Sequence, residues 1–155
     1  MKLVVQRCGP ACVRVGGSTV ARIHKGAVIL LGVARTDTDA EAEYLAGKVS
    51  RLRIFDDSEG RLNASIHDTG GSFLVVSQFT LYGDCSKGNR PSYIASAPPA
   101  QAQRLYLHFV DALKALGHEV QTGFFQETMH VELENDGPVT LILERDHPPS
   151  GENNP

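Results

Sequence analysis

The sequence predicts an α+β fold: a curved, barrel-like β-sheet with two helices packed on it, in a single domain. Three observations carry this. Two segments place apolar residues at helical spacing. The rest of the chain is a series of short Val-, Ile- and Leu-rich stretches separated by Gly and Pro. These strand-like stretches mostly follow one another directly, the pattern of a sheet with helices set on it rather than of strict βα alternation.

The first third reads as a β-meander. Leu3 to Cys8 and Ala11 to Val15 are predicted strands, separated by Gly9-Pro10. Gly16-Gly17 suits a two-residue hairpin turn, in which both positions need positive φ. Ser18 to Ile23 is the return strand. Ala27 to Val33 is continuously apolar, so it should be covered on both faces. Thr38 then serves as a helix N-cap, with Glu41 three residues on to close a capping box. Ala42, Leu45, Ala46, Val49 and Leu52 form the buried stripe of that helix, and Glu41, Glu43, Lys48 and Arg51 its solvated side.

Turns are predicted at 56–60 and at Gly70-Gly71, and a strand from Phe73 to Leu81. Tyr82 to Pro99 reads as a long loop, and loops of that length in a compact domain are often functional. The second helix starts near Pro99, since proline suits a first turn. Its buried stripe is Ala102, Leu105, Tyr106, Phe109, Ala112, Leu113 and Leu116, with Gly117 as the left-handed residue after it. Strands at Glu119 to Thr122, Met129 to Glu134 and Val139 to Glu144 complete the domain, 1–144. Residues 145–155 read as a flexible C-terminal tail.

Composition narrows the function. The 155 residues are 41% hydrophobic and 21% charged, ordinary for a soluble globular domain. No apolar run approaches a bilayer span, so no membrane is expected and the location is read as cytoplasmic. Three cysteines and scattered histidines supply neither a disulfide framework nor a metal-ligand spacing, so no metal and no cofactor are expected. A net charge of -3 disfavours coating duplex nucleic acid, and DNA is not an expected partner. It is neutral toward gripping the last nucleotides of an RNA. Nucleophile elbows, P-loops and dinucleotide fingerprints are missing from the sequence.

Two segments stand out. Ser77-Gln78-Phe79-Thr80-Leu81 sets polar residues at the end of a buried run, where each needs a partner. Asn135-Asp136-Gly137-Pro138-Val139-Thr140 puts turn formers between two strand-like stretches. Taken singly, the first is an ordinary strand rim and the second an ordinary turn.

Together they resemble the D-aminoacyl-tRNA deacylase family, long called D-Tyr-tRNA deacylases. The resemblance runs from Met1 to about Glu144. It is supported by Gln6-Arg7 with Ala11 and Val13, by Leu52-Arg53-Ile54-Phe55 with Gly60 and Asn63, and by Lys87-Gly88 with Arg90-Pro91-Ser92. It implies a homodimer with active sites at the interface. The partner is the 3′ end of an aminoacylated tRNA, and the reaction is hydrolysis of its D-aminoacyl ester. Gly137-Pro138, cis in the family, would reach into the partner subunit's pocket and exclude L side chains. Glycine, having no side chain, would pass.

The resemblance also assigns roles. Thr80 is the nucleophile in one view. In the other, which we prefer, backbone N–H groups of Phe79 and Thr80 stabilise the oxyanion. Ser77 and Gln78 would hold the ester and terminal adenosine, and Phe125 and Met129 would line the adenosine site. Arg7 would hold the Gly-Pro segment through backbone carbonyls. Plain core packing is the competing reading of Phe125 and Met129, and a surface salt bridge that of Arg7. Gln126-Glu127-Thr128 departs from the family's smaller Gly/Ala-rich stretch, as Ser86 and Asn89 depart from its basic residues. Two rival functions remain: a non-catalytic nucleic-acid-binding module on the same fold, and a hydrolase of small esters.

Overall fold

The computed structural model describes residues 1–146, so the tail expected over 147–155 lies outside the described residues. The chain forms β1 (Lys2–Val15), β2 (Ser18–Ile23), β3 (Gly26–Gly32), α1 (Asp39–Ser50), β4 (Phe55–Asp56), β5 (Leu62–Ala64), α2 (Ile66–Thr69), β6 (Ser72–Ser77), α3 (Pro99–Ala115), β7 (Val120–Thr122) and β8 (His130–Glu144). A 3-10 turn, Phe79–Tyr82, follows β6.

Local chemistry explains much of this. Gly16 and Gly17 turn the first hairpin with φ of 56° and 82°. Thr38 caps α1, and the Glu41 carboxylate returns to the Thr38 backbone N–H at 2.7 Å. Pro99 opens α3, and Gly117 follows it at φ 88°. The main sheet runs β2-β1-β3-β6-β7, with β8 on the remaining edge of β1. β1 pairs antiparallel with β3 through residues 2–8, then with β2 through 11–15, because it bends between them. That bend curls β2 toward β6 and gives the sheet its nearly closed, barrel-like form. β3, β6 and β7 are parallel, joined by crossovers containing α1 and α3.

Both faces of the parallel strands are buried. Ala27, Ile29 and Leu31 of β3 and Phe73 and Val75 of β6 meet Leu45, Val49, Leu105, Phe109 and Leu113 of the helices. On the other face, Val28, Leu74 and Val76 pack with Val13, Ala21 and Ile23 inside the curl. Each large side chain fully buried in this way contributes about 1.5–3 kcal/mol.

The structure corrects several sequence expectations. Leu3 to Cys8 and Ala11 to Val15 are one strand, with Gly9-Pro10 a bulge: two residues of β1 face the single Glu134 of β8. The last two predicted strands are likewise one, β8. Glu41 is buried rather than solvated, because its carboxylate turns back to cap the helix. Leu116 is about half exposed, since α3 ends at Ala115 and the chain turns away at Gly117. The strand predicted as Phe73 to Leu81 stops at Ser77. Its neighbour β3 ends at Gly32, and the chain from Gln78 to Tyr82 folds over that glycine; a Cβ there would meet the Gln78 carbonyl oxygen at 3.1 Å. The one-turn helix α2, capped by Ser65, has no counterpart among the sequence expectations. Arg145, placed in the tail by sequence, continues the pairing: its N–H donates to the Met1 carbonyl at 3.0 Å.

Candidate active site

Open parallel sheets place ligands beyond the carboxyl ends of their strands. Here those ends are Leu31 of β3 with Val33 just beyond it, and Ser77 of β6 with Gln78 just beyond it. A pocket of about 790 Å³ opens at this point. Its floor is Leu31, Val33 and Val76. One wall is Phe79 with Tyr93, whose rings meet edge-to-face at 5.1 Å. Phe125, Met129 and Val131 also line the pocket.

The sequence-predicted residues divide into two groups, with Thr80 in neither, since it is not among the residues lining the pocket. Ser77, Gln78, Phe79, Phe125 and Met129 come together around the pocket. Phe125 is half-buried and packs on the helix-side core, beside Tyr106. Met129 packs on the inner core, and its sulfur lies against Gly123, where a Cβ would collide with it. These two side chains therefore share their surface between core and pocket. Tyr106 beneath them is fixed by its hydroxyl, which donates to the Val75 carbonyl at 2.8 Å, and burial pushes its pKa up to about 12.

Thr80 is exposed on the 3-10 turn. Its hydroxyl accepts a hydrogen bond from the Gln78 side-chain amide. An amide is no general base, and among the described residues no His or carboxylate bonds to this hydroxyl. Gln78 precedes the turn without a side-chain capping bond. The first N–H groups of a helical turn have no intrahelical partners, which leaves those of Phe79, a pocket-lining residue, and Thr80 next to it without one.

The second group lies elsewhere. Gly137 and Pro138 are exposed and outside the lining of their own chain's pocket. They sit in a bulge of β8. Gln6 pairs with Thr140 and Cys8 with Asn135, so Arg7 alone faces residues 136–139. Two side chains hold this bulge. Gln6 clamps its ends: its amide nitrogen donates to Asn135 Oδ1, and its oxygen accepts from Thr140 Oγ1 at 2.7 Å. Arg7 ties down the middle, with Nε donating to the Asp136 carbonyl at 2.9 Å and Nη1 to the Ile54 carbonyl at 2.8 Å. Arg7 is buried, so these charge-assisted bonds are shielded from water. The Gly137-Pro138 peptide is cis. Gly137 has φ 132°, and a Cβ on it would stand 2.7 Å from Arg7 Nη2.

Several pocket residues carry no sequence signal of their own. Tyr93, Ala97 and Pro98 come from the long 82–99 loop, whose length is the available signal. Arg35 reaches the pocket while its Nε donates to the Ile94 carbonyl at 2.5 Å. Gln126 and Glu127 line it as well, and Gln126 has φ 64°, a left-handed conformation that favours glycine. Its place in a stretch that is Gly-rich in the resembled family is the hint.

Fold and site thus define a barrel-like α+β domain with a partly apolar pocket at the ends of parallel strands and an exposed bulge on a separate strand, held by Gln6 and Arg7. Comparison with known proteins narrows this class. The family model described as D-Tyr-tRNA(Tyr) deacylase matches residues 4–144, and the chain belongs to that family. Proteins named D-aminoacyl-tRNA deacylase are close relatives. The one from Desulfatibacillum aliphaticivorans is 54% identical over 93% of this chain and 99% of its own. The one from Symbiobacterium thermophilum is 54% identical over 93% of this chain and 95% of its own. Among solved structures, a c-Myc DNA Unwinding Element Binding Protein superposes with TM-score 0.90 at 38% identity, covering 95% of this chain and all of that one. A probable eukaryotic D-amino acid tRNA deacylase shares the fold, with TM-score 0.78 at 17% identity over 92% of this chain and 97% of its own.

Proposed function

We propose that this chain hydrolyses the ester between a D-amino acid, or glycine, and the 3′ end of a tRNA. It acts in the cytoplasm as a homodimer. The observation that carries this reading is the clamped bulge: a stretch of main chain, Gly137-Pro138, exposed, held by Gln6 and Arg7 and outside the lining of its own pocket. A second copy supplies the pocket it enters. There its backbone occupies the space an L side chain would need, while D side chains point away and glycine has none. Selection by exclusion is nearly blind to side-chain identity.

In the pocket, Phe125 and Met129 present an apolar surface to the terminal adenosine. Ser77 and Gln78 hold the ester and the ribose. The N–H groups of Phe79 and Thr80 receive the oxyanion, where each such donor contributes about 3–4 kcal/mol in hydrolases of this kind of intermediate. Thr80 attacks nothing: its hydroxyl bonds to an amide, so water or the ribose's free hydroxyl provides the nucleophile.

The solved relative named for DNA binding keeps a second reading in play, nucleic-acid binding without hydrolysis. One assay separates the readings. The protein is incubated with D-Tyr-tRNA, L-Tyr-tRNA, Gly-tRNA and a D-Tyr alkyl ester. Only the first and third should be cleared at an appreciable rate. Equal loss of the D- and L-tyrosyl substrates would overturn the filter, loss of the alkyl ester would favour a small-ester hydrolase, and binding with no turnover would favour the DNA-binding-type reading.

A further inference from the structure

A second cavity, of about 420 Å³, opens beside the end of α1, away from the pocket described above. Ser50, Arg51, Arg53, Asn63, His67 and His118 line it, with Ser50 bonded to His118 and Arg53 to Asn63. Its electrostatics oppose those of the chain as a whole, whose net charge is -3. Arg51 is exposed and Arg53 lies at the cavity wall, and among the described residues neither guanidinium forms an ion pair with a carboxylate. The one acidic side chain in the lining, Asp68, carries its charge within electrostatic reach of Arg53 and offsets part of it. It accepts from the Ser65 N–H and from the Ser65 hydroxyl, each at 2.8 Å, and the Ser65 backbone bond is the main reason its carboxyl is held below the usual range. His118 is buried, and burial lowers its pKa; its Nε2 lies 2.6 Å from Ser50 Oγ. His67 is exposed at the rim.

The position of the cavity gives it a use. Arg53 directly precedes Ile54, whose carbonyl receives Arg7, and Arg7 in turn holds Asp136. Arg53 is itself fixed, its Nε donating to the Asn63 carbonyl at 2.8 Å. Cavity and bulge are therefore parts of one hydrogen-bonded unit. The main chain at Arg53 is thus tied to the bulge through Ile54 and Arg7, independently of the Arg53 side chain.

We propose that this cavity binds a phosphodiester of the RNA whose 3′ end occupies the partner's pocket. The inference rests on the reading that Gly137-Pro138 enters that pocket. Guanidinium groups suit the ligand because their planar N–H fork matches phosphate oxygens. The exposed His67 imidazole at the rim can add a donor, while the Ser50 and Ser65 hydroxyls are already bonded to His118 and Asp68, and the volume is ample for a sugar-phosphate unit. Each subunit would then read chirality in its partner's site and grip the same RNA upstream of it.

The test compares D-Tyr-tRNA with D-tyrosyl-adenosine, which carries the same ester and no phosphate. In Arg51→Gln/Arg53→Gln, KM for D-Tyr-tRNA should rise on the order of tenfold with kcat unchanged. The logarithmic dependence of kcat/KM on salt should become shallower by about 0.7 for each phosphate no longer neutralised. KM for D-tyrosyl-adenosine should not move. Arg51→Gln alone leaves the Arg53–Asn63 bond in place and should show a smaller effect of the same kind, which covers the case of a double variant that does not fold. An unchanged tRNA KM and salt slope in a folded variant would overturn the site, as would equal losses on both substrates. Wild-type protein inert toward both substrates would remove the deacylase reading and the site with it, a result distinguishable from failure of the variants alone.

Discussion

Arg7→Met is the most informative single perturbation. The substitution keeps the bulk of the side chain and removes two charge-assisted hydrogen bonds, at 2.9 Å to the Asp136 carbonyl and 2.8 Å to the Ile54 carbonyl. Such bonds contribute about 1.5–3 kcal/mol each. The ion pairs of Arg7 add little, since Asp56 and Asp136 are 3.8 and 3.5 Å away and their side chains are 59% exposed. Gln6 still clamps the ends of the bulge, so part of the loss is recovered by local relaxation. The expected net cost is about 3 kcal/mol in urea unfolding. The consequence for function is sharper. Without its central tie, the 136–139 bulge loses the bond that fixes its middle, and the exclusion filter proposed above should fail as its wall moves. The ratio of kcat/KM for D-Tyr-tRNA over L-Tyr-tRNA should drop by roughly tenfold or more, the factor that about 1.4 kcal/mol of lost discrimination gives, mainly through gain of L-Tyr-tRNA turnover. A folded variant with lowered stability and an unchanged D/L ratio would refute the reasoning, because Arg7 would then be structural only. Unchanged stability would refute the count of its hydrogen bonds.

Other expectations follow from the same geometry. Thr80→Ala should keep kcat within about tenfold of wild type, since removal of one neutral hydroxyl hydrogen bond costs about 1 kcal/mol; complete loss of single-turnover hydrolysis with tRNA binding intact would restore Thr80 as nucleophile. Gly26→Ala should not yield soluble protein, because its Cβ would drive into the Ser72 backbone carbonyl at a φ of 142°, where neither strand can shift; a stable variant by calorimetry would contradict the parallel β3–β6 register. The buried His118 has a folded pKa below its unfolded value, so the folded state resists protonation. Stability should be unaffected well above the unfolded value of 6.5 and should fall as pH drops below it, more steeply in wild type than in His118→Gln; parallel changes of the urea midpoint in the two proteins between about pH 7.5 and 5.5 would contradict this. Native protein should expose one fast-reacting thiol to a disulfide reagent, Cys85, while Cys8 and Cys12 are buried and burial pushes the Cys8 thiol up to about 11; three fast thiols without denaturant would mean a looser inner core.

Local chemistry is legible from the chain alone. The Gly16-Gly17 hairpin, the Thr38/Glu41 capping box, the Pro99 start and Gly117 stop of α3, and the doubly buried β3 each depend on residues a few positions apart. Their forces act within a turn or a strand, so pattern suffices. The motif residues around the pocket are also readable, through resemblance rather than through periodicity. What only the tertiary structure decided is everything set by distant partners. β6 stops at Ser77 because β3 runs out at Gly32. Residues 135–140 form a bulge within one strand because β1 lies alongside with Gln6 and Arg7 in place. Glu41 is buried because its helix packs where its carboxylate can cap. The pairing of Arg53, Ile54, Arg7 and Asp136 in one bonded unit joins three segments far apart in sequence. Hydrogen bonds across such separations leave no periodic trace in a sequence, since each partner's environment exists only after the other has folded against it.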